Sequence, residues 1–329
     1  MIDRCGRTID YLRISVTDRC NLRCIYCMPE NGVKLVERSQ ILREEEIIRI
    51  SRVMAQLGIT RIKLTGGEPL VHVRMPELVC QIKEIPGIKK VTLTTNGTLL
   101  KEQMKELAEA GLDAVNISLD TLNRDCFQKI TRRDLLNEAL EGIQEALRYP
   151  GISVKINCVP LGIEGQDLCE IAELARKYPV HVRFIEMMPI GCGMEFKGMS
   201  EKELTELLEK RFGSLTLYQG EPLGNGPSRY YEAQGFEGKL GFISAVSHKF
   251  CKDCSSCNRI RLTSQGYLKT CLQYSAGKDL REIIRNGGTD EELTEAILEA
   301  LEQKPDGHQF LEKAQADDTE KLCMSQIGG

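Results

Sequence analysis

Three cysteines within eight residues are the first feature of the sequence that could do chemistry. Cys20, Cys24 and Cys27 form a C-x3-C-x2-C run in DRCNLRCIYCMP, residues 18–29. A structural zinc site uses four protein ligands, and an ordinary [4Fe–4S] electron carrier also uses four thiolates. Three thiolates therefore predict a [4Fe–4S] cluster in which one iron has no protein ligand and is open to a small molecule.

A second cysteine group lies in residues 250–272. Cys254, Cys257 and Cys271 give a C-x2-C-x13-C arrangement that again stops at three thiols. Cys251 leaves alternatives open, because it could complete a closed site or pair with Cys254 as the first two ligands. The spacing to Cys271 favours Cys254 with Cys257. A zinc knuckle or a redox pair of cysteines also fits these spacings.

Cationic residues recur within the apolar segments of the chain, where an unpaired cation is costly. Arg259 and Arg261 directly follow the second cysteine group, and their guanidinium donors favour a polar ligand beside it. The full set is Arg13, Arg61, Lys63, Lys155, Arg183, Arg259 and Arg261. Seven cations around one cavity predict a polyanionic ligand such as a triphosphate.

Strand-like and helix-like segments alternate along the chain, and these elements must position the cysteines and cations. The predicted strands are residues 12–17, 61–65, 91–96, 114–120, 154–159 and 182–187. Helical patterns lie between them, as in 41–57, with Ser39 as the predicted N-cap, and in 98–111, which ends at Gly111. Strands that alternate with helices at this spacing predict a parallel sheet, either open or curved toward a barrel.

The predicted strands alternate between polar and apolar residues. Strands of a fully buried parallel sheet usually read as continuous apolar runs. Here Arg13, Ser15 and Thr17 are alternate residues of one parity, so they share one face of the strand. Leu12 and Ile14 have the other parity and share the opposite face. We therefore expect an incomplete barrel with helices on its apolar face and a polar ligand on its polar face. A half-exposed antiparallel sheet is the alternative, but it does not explain the helices between the strands.

Residues 220–238 are rich in Gly and Pro and predict a boundary between residues 1–219 and residues 220–329. The second region should contain short strands and helices near 279–287 and 290–303. Thr289 and Glu292 predict a capping box on the last of these helices. The polar tail after residue 305 is expected to lack regular structure.

Composition limits the class of protein. The chain has 329 residues, 41% of them apolar, and a net charge of −4, which argues against electrostatic binding to nucleic acid. No segment has the apolar length of a membrane helix, and the N-terminus has no signal-peptide core, so a cytoplasmic protein is expected. In that compartment the 14 cysteines should be reduced.

The first cysteine motif, with Tyr26 directly before Cys27, resembles the signature of radical S-adenosylmethionine (SAM) enzymes. The resemblance implies a partial (β/α)6 barrel and a cluster whose open iron binds SAM. TGGEP, residues 65–69, is similar to the segment that contacts the SAM amino group in that family, with Gly67 at its centre. Ser118 and Met188 match positions that contact SAM, although either could be ordinary packing at a strand end.

Nearly the whole chain resembles the GTP 3′,8-cyclase family, which acts first in molybdenum cofactor biosynthesis. This implies an α/β fold, an incomplete (β/α)6 TIM-like barrel whose C-terminal extension carries a second Fe–S cluster. It also implies two [4Fe–4S] clusters, SAM and GTP, an electron donor of the flavodoxin or ferredoxin type, and a homodimer. The implied GTP contacts are Arg13, Arg61, Lys63, Thr94, Lys155, Arg183, Arg259 and Arg261, the last two also catalytic.

The chain departs from the family pattern in two places. KDCSSC, residues 252–257, reads as a small insertion, and Arg61 and Lys63 occur in exchanged order. The terminal Gly328 and Gly329 match a tail that reaches toward the active site in the family, although chain ends are often frayed. Two other functions fit less well, a radical SAM peptide maturase with an auxiliary cluster and a non-catalytic Fe–S or zinc nucleotide-binding module.

Overall fold

The computed structural model describes residues 1–226, 228–246, 257–308, 310 and 320–328. Six strands follow one another in a parallel row, each bonded to the next along the chain. They are β1 (Tyr11–Ser15), β2 (Arg61–Thr65), β3 (Lys90–Thr95), β4 (Ala114–Ser118), β5 (Ser153–Cys158) and β6 (His181–Ile185). All six predicted strands are confirmed, with ends shifted by one or two residues.

The remaining strands extend this row at both edges. They are β7 (Thr216–Leu217), β8 (Arg229–Glu232), β9 (Leu240–Ile243), β10 (Arg259–Leu262), β11 (Tyr267–Lys269) and β12 (Gly277–Asp279). β9 pairs parallel with β6, and β10 pairs parallel with β1, while the outermost strands are antiparallel. The order β12-β11-β10-β1-β2-β3-β4-β5-β6-β9-β8-β7 has two free ends. The predicted incomplete barrel with a C-terminal extension is thus confirmed.

Helices connect the strands. The first seven are α1 (Glu44–Gln56), α2 (Met75–Lys83), α3 (Leu100–Glu109), α4 (Arg124–Thr131), α5 (Leu136–Ala146), α6 (Leu168–Lys177) and α7 (Glu201–Phe212). The last three are α8 (Leu280–Arg285), α9 (Asp290–Glu302) and α10 (Met324–Ile327). None of the helices in the described ranges has the length and apolar character that a bilayer crossing requires.

The core lies between the apolar parity of the strands and these helices. Leu12, Ile14, Ile62 and Leu64 are fully buried and belong to the main apolar cluster. Arg13 and Lys63, adjacent strand residues of the other parity, line a cavity. Since successive side chains point to opposite faces of a strand, the alternation read from the sequence separates core from cavity.

Three expectations about the ends of helices can be compared with the structure. The capping box of Thr289 and Glu292 on α9 is confirmed, and Gly111 follows α3 with a φ of 84°. The Ser39 N-cap is wrong, because α1 begins only after Arg43, whose N–H donates to Glu46 at 2.7 Å. Ser39 lies in a separate single turn, Arg38–Gln40.

The tail also differs from expectation, because residues 324–327 form the short helix α10. Just before this helix, Glu320 forms an ion pair with buried Lys269, which is distant in sequence. The boundary at residue 220 stays a prediction. The sheet runs across it, since β9 and β10 follow residue 220 and pair with β6 and β1.

Gly142 in α5 provides a test of this packing. A Cβ at this position would overlap the carbonyl oxygen of Gly97 and lie 3.1 Å from Leu100. Gly142→Ala should therefore lower the free energy of unfolding by about 1–3 kcal/mol, although alanine normally favours a helix. Gly151→Ala is the control, since no atom lies within 4 Å of its added Cβ. Equal denaturant midpoints for the two variants would contradict this packing.

Candidate active site

The polar face of the sheet encloses a cavity of about 570 Å³. Its walls are formed by the polar residues of the predicted strands. Arg13, Lys63, Thr94, Asn116, Ser118, Lys155 and Asn157 line it. The predicted polar ligand chamber is therefore present inside the curved sheet.

The first three cysteines line one end of this cavity, beyond the carboxyl end of β1. Burial raises the pKa of Cys20 to about 11 and that of Cys27 to about 12. The pKa of Cys24 is raised for the same reason, and then by the neighbouring charges of Cys27 and Asp120. Such thiols ionise readily only when a cation compensates the charge, which suits an iron–sulfur cluster.

In the described part of the chain, no three His, Cys, Asp or Glu side chains are gathered as ligands of one metal ion. A [4Fe–4S] cluster does not require that closeness, because each thiolate binds a different iron. The donor set of Cys20, Cys24 and Cys27 therefore fits a cluster.

TGGEP packs directly against the cysteine loop. The N–H of Gly67 donates to Thr17 at 2.8 Å, and a Cβ on Gly67 would overlap the Arg19 carbonyl oxygen and lie 2.9 Å from that of Asp18. The sequence predicted that these glycines allow backbone to approach a ligand. In the structure they allow two backbone segments at the site to approach each other.

Glu68 of the same motif is 1% exposed and was not singled out from the sequence. Its carboxylate accepts hydrogen bonds from Leu70 N at 3.0 Å, Thr95 Oγ1 at 2.7 Å and Asn96 N at 2.7 Å. Burial nevertheless raises its pKa to about 7, against these three donors. Glu68 thus ties the loops after β2 and β3 together.

All four predicted SAM-binding residues line the cavity, namely Tyr26, Gly67, Ser118 and Met188. The Tyr26 hydroxyl donates to Asp120 at 2.7 Å, and Asp120 also accepts from Val159 N at 2.8 Å. Burial raises the pKa of Asp120 to about 6. The role of Asp120 in holding Tyr26 was missed, because it depends on a contact 94 residues away.

Six of the seven predicted cations line the cavity. Burial, and then the charges of Arg183, Arg13 and Lys155, lower the pKa of Lys63 well below its ordinary value. Burial and Arg183 likewise lower the pKa of Lys155 to about 8. Cations that depress one another in this way create a strongly positive chamber.

Arg183 is 7% exposed and faces the cavity. Its guanidinium donates to Asn157 at 2.9 Å and to Asn116 at 2.7 Å. These two asparagines orient it without neutralising it.

Arg61 is the exception among the cations. It does not line the cavity, and its guanidinium pairs with Asp10 at 2.8 Å. Its predicted place in the cavity wall is therefore wrong. The reason is that Asp10, just before β1, lies beside the amino end of β2, where Arg61 begins the strand.

The described members of the second cysteine group, Cys257 and Cys271, lie at the other end of the cavity. Because Arg259 is in register with Tyr11, Cys257 lies at the amino end of β1, opposite the end that Cys20 follows. Cys257 and Cys271 line the cavity, whereas Cys254 and Cys251 lie outside the described residues. Burial opposes ionisation of Cys257, but the charges of Lys304 and Arg259 prevail and lower its pKa to about 7.

The tail returns to the same cavity. The Gly328 carbonyl accepts a hydrogen bond from Arg261 at 2.9 Å, and a Cβ on Gly328 would lie 2.9 Å from that of Ser15. Met324 lines the cavity. Gly329 lies outside the described residues, so only Gly328 of the terminal pair is placed beside the cavity.

His181 is a further cavity residue that the sequence did not single out. Its Nδ1 accepts from Lys239 N at 3.1 Å, so the neutral ring carries its proton on Nε2. Burial, and then the charges of Lys155 and Arg183, lower its pKa to about 4. Its place on the parity of Arg183 was the signal that could have identified it.

Glu68 gives a pH-dependent test. Its folded pKa of about 7 exceeds its ordinary value of 4.5, so the folded state binds this proton more tightly than the unfolded state. The resulting stabilisation is present below pH 4.5 and is lost as the pH rises through 7. The advantage of wild type over Glu68→Gln in unfolding free energy should therefore shrink and then reverse between pH 5 and about 8.

Glu68→Gln should lower the free energy of unfolding by about 1–3 kcal/mol at low pH, because the new amide NH2 group would face an N–H donor. Exposed Glu77 supplies the control, and Glu77→Gln should run parallel to wild type in urea titrations at each pH. A constant difference between Glu68→Gln and wild type over this range would show that Glu68 keeps an ordinary pKa.

Two family models match the chain in sequence. The Radical SAM superfamily matches residues 14–177, and Molybdenum Cofactor Synthesis C matches residues 180–310. Among solved structures, Streptococcus suis SuiB bound to precursor peptide SuiA has a TM-score of 0.63 at 16% identity. That match covers 94% of this chain and 74% of SuiB, and it supports the fold alone.

Full-length relatives are more informative. The GTP 3′,8-cyclase of Clostridium perfringens (strain SM101 / Type A) is 45% identical, with 100% of both chains covered. The enzyme of that name from Syntrophomonas wolfei is 44% identical, again with 100% of both chains covered. Molybdenum cofactor biosynthesis protein 1 of Dictyostelium discoideum is 41% identical over 94% of this chain and 49% of its own length. The chain therefore belongs to the GTP 3′,8-cyclase family of the radical SAM superfamily.

Proposed function

We propose that this protein converts GTP to (8S)-3′,8-cyclo-7,8-dihydroguanosine 5′-triphosphate, the first step of molybdenum cofactor biosynthesis. The observation that carries the proposal is one cation-lined cavity with cysteines at both ends, in a chain related over its full length to GTP 3′,8-cyclases. The hydrogen at ribose C3′ is removed, C3′ bonds to guanine C8, and the product gains one electron and one proton.

Cys20, Cys24 and Cys27 would hold the first [4Fe–4S] cluster, which supplies the electron that cleaves SAM to a 5′-deoxyadenosyl radical. Tyr26, Ser118, Met188 and the Gly67 backbone would bind SAM beside it. Burial of this end of the cavity limits access of water and other quenchers to a reactive carbon radical.

The cations would bind and orient GTP. Lys63, Lys155 and Arg183 lie on neighbouring parts of the wall and would bind the triphosphate, with Arg13 and Thr94 beside them. Burial and then repulsion from neighbouring cations lower the pKa of Lys63, and a polyanion would offset that repulsion. Fixing both ends of the nucleotide places C3′ and C8 for ring closure. A contact of Arg61 with GTP has the least support, given its pairing with Asp10.

Cys254, Cys257 and Cys271 would hold a second [4Fe–4S] cluster, which would supply an iron site for binding the guanine end of GTP. The lowered pKa of Cys257 supports this, because a thiolate is the form that binds iron. Arg259 and Arg261 line the same cavity as Cys257 and are proposed as catalytic residues. Arg261 is already oriented by its bond to Gly328.

The wider context is also part of the proposal. An electron donor of the flavodoxin or ferredoxin type would reduce the first cluster, and the protein would act as a homodimer in the cytoplasm. A peptide maturase is less well supported, because the likeness to SuiB is one of fold and a peptide requires no cationic chamber. A zinc-binding nucleotide module would be colourless and would not cleave SAM.

The first test follows the hydrogen. Reduced protein with SAM and GTP deuterated at C3′ should release 5′-deoxyadenosine that carries the deuterium, as measured by mass spectrometry. GTP deuterated at C2′ is the matched control and should transfer none. Deuterium-free 5′-deoxyadenosine from the C3′-labelled substrate would refute the proposed site of hydrogen removal.

The second test counts iron. Anaerobically reconstituted wild type should hold about eight irons, and Cys257→Ala about four, if both clusters are cubane. Cys257→Ala should still cleave SAM slowly but form no cyclised product. Cys80 is exposed and lies outside the cavity, so Cys80→Ala should match wild type in both measurements. About eight irons in Cys257→Ala would exclude Cys257 as a ligand.

A further inference from the structure

Arg132 has an unusual backbone conformation. Among the described residues it is the one non-glycine residue with a positive φ, 56°. It caps the C-terminus of α4, where its N–H donates to Gln128 at 2.8 Å. Glycine is the ordinary residue for this left-handed position, because a Cβ crowds the following carbonyl. A side chain kept there needs a compensating contact.

The Arg132 side chain supplies such a contact with the first cysteine loop. Its Nη1 donates to the carbonyl of Arg23 at 3.0 Å and to that of Met28 at 3.2 Å. These two carbonyls flank Cys24 and Cys27 directly in sequence. One guanidinium nitrogen therefore joins the two ends of the segment that carries two of the three thiols.

The last turn of α4 holds the same segment by its backbone. Arg23 N donates to Thr131 O at 2.9 Å, and Ile25 N donates to Ile130 O at 2.9 Å. The contact continues toward the third thiol, because the Arg23 side chain donates to the Cys20 carbonyl at 2.6 Å. The end of α4 thus acts as a rigid support along the cysteine loop.

We infer that Arg132 is a positioning residue, which holds residues 23–28 in the conformation that receives the cluster before any iron binds. A loop that is already ordered loses less conformational entropy on binding, so the bound state gains affinity. This inference rests on the proposed assignment of Cys20, Cys24 and Cys27 as ligands. It does not depend on the identity of the nucleotide substrate.

The test compares Arg132→Gly, Arg132→Asn and Arg132→Lys by hydrogen exchange of the metal-free chain. Glycine and asparagine both tolerate the backbone conformation but lose the two bonds to carbonyls. Amide exchange in residues 23–28 should become about tenfold faster in both variants, as expected from losing one or two hydrogen bonds. Exchange in the core of α5 should stay unchanged, which separates a local from a global effect.

Arg132→Lys keeps the charge and one donor, so it should restore part of the protection. Arg133 is the matched control, because its side chain donates to the Arg132 carbonyl and contacts no cysteine-loop carbonyl in the described bonds. Arg133→Ala should leave exchange in residues 23–28 at the wild-type rate. Wild-type exchange in Arg132→Gly would overturn the inference.

Reconstituted protein gives a second readout. Iron should leave Arg132→Gly for a chelator several-fold faster than it leaves wild type or Arg133→Ala, and equal rates would overturn the inference. A separate result would refute the ligand assignment instead, namely full iron content in Cys24→Ala. Because the exchange experiment uses metal-free chain, failure of the proposed function and failure of the Arg132 inference remain distinguishable.

Discussion

Repulsion among cations that share the inside of one curved sheet is the constraint on which the site depends. Burial and neighbouring charges lower the pKa of Lys63 and of Arg261, so each cation makes its neighbours harder to charge. The strands fix these groups on a rigid backbone, and Asn116 and Asn157 orient Arg183 without neutralising it. Such an arrangement costs folding free energy, which a bound polyanion returns. The cations therefore oppose folding of the empty chain but favour binding of an anionic ligand. Active sites commonly lose stability in favour of function in this way.

The C-terminal extension completes this chamber as well as covering it. β10 adds to the sheet beside β1 in a register that sets Arg259 opposite Tyr11 and Arg261 opposite Arg13. This one pairing brings two further cations and Cys257 to the amino ends of the strands. The tail then returns along the other side of Arg261, through the Gly328 carbonyl. A ligand between the two cysteine groups would thus contact both halves of the chain, which explains why the sheet is continuous across residue 220.

The sequence was most informative where a pattern repeats within one element. The alternation of Arg13 and Ser15 with Leu12 and Ile14 predicted both the strand and the face that lines the cavity. Prediction failed where a contact with a residue distant in sequence determines the structure. Arg61 has the right parity but pairs with Asp10, and α1 starts late because Glu46 accepts the N–H of Arg43. Glu320, in the tail before α10, pairs with Lys269, which is 51 residues away. No local pattern encodes such contacts, so propensity alone misses them.

The positions with restricted backbone show how distant segments are brought together at the first cysteine group. Gly67 lacks a Cβ so that the loop after β2 can meet the backbone of Arg19, and Glu68 then joins that loop to the one after β3. On the other side, Arg132 accepts a left-handed backbone and its side chain reaches the carbonyls around Cys24 and Cys27. Both contacts act on backbone groups and not on the thiols. A loop held by its carbonyls and N–H groups can keep its shape without these contacts occupying the thiols, which the proposed cluster would need as ligands.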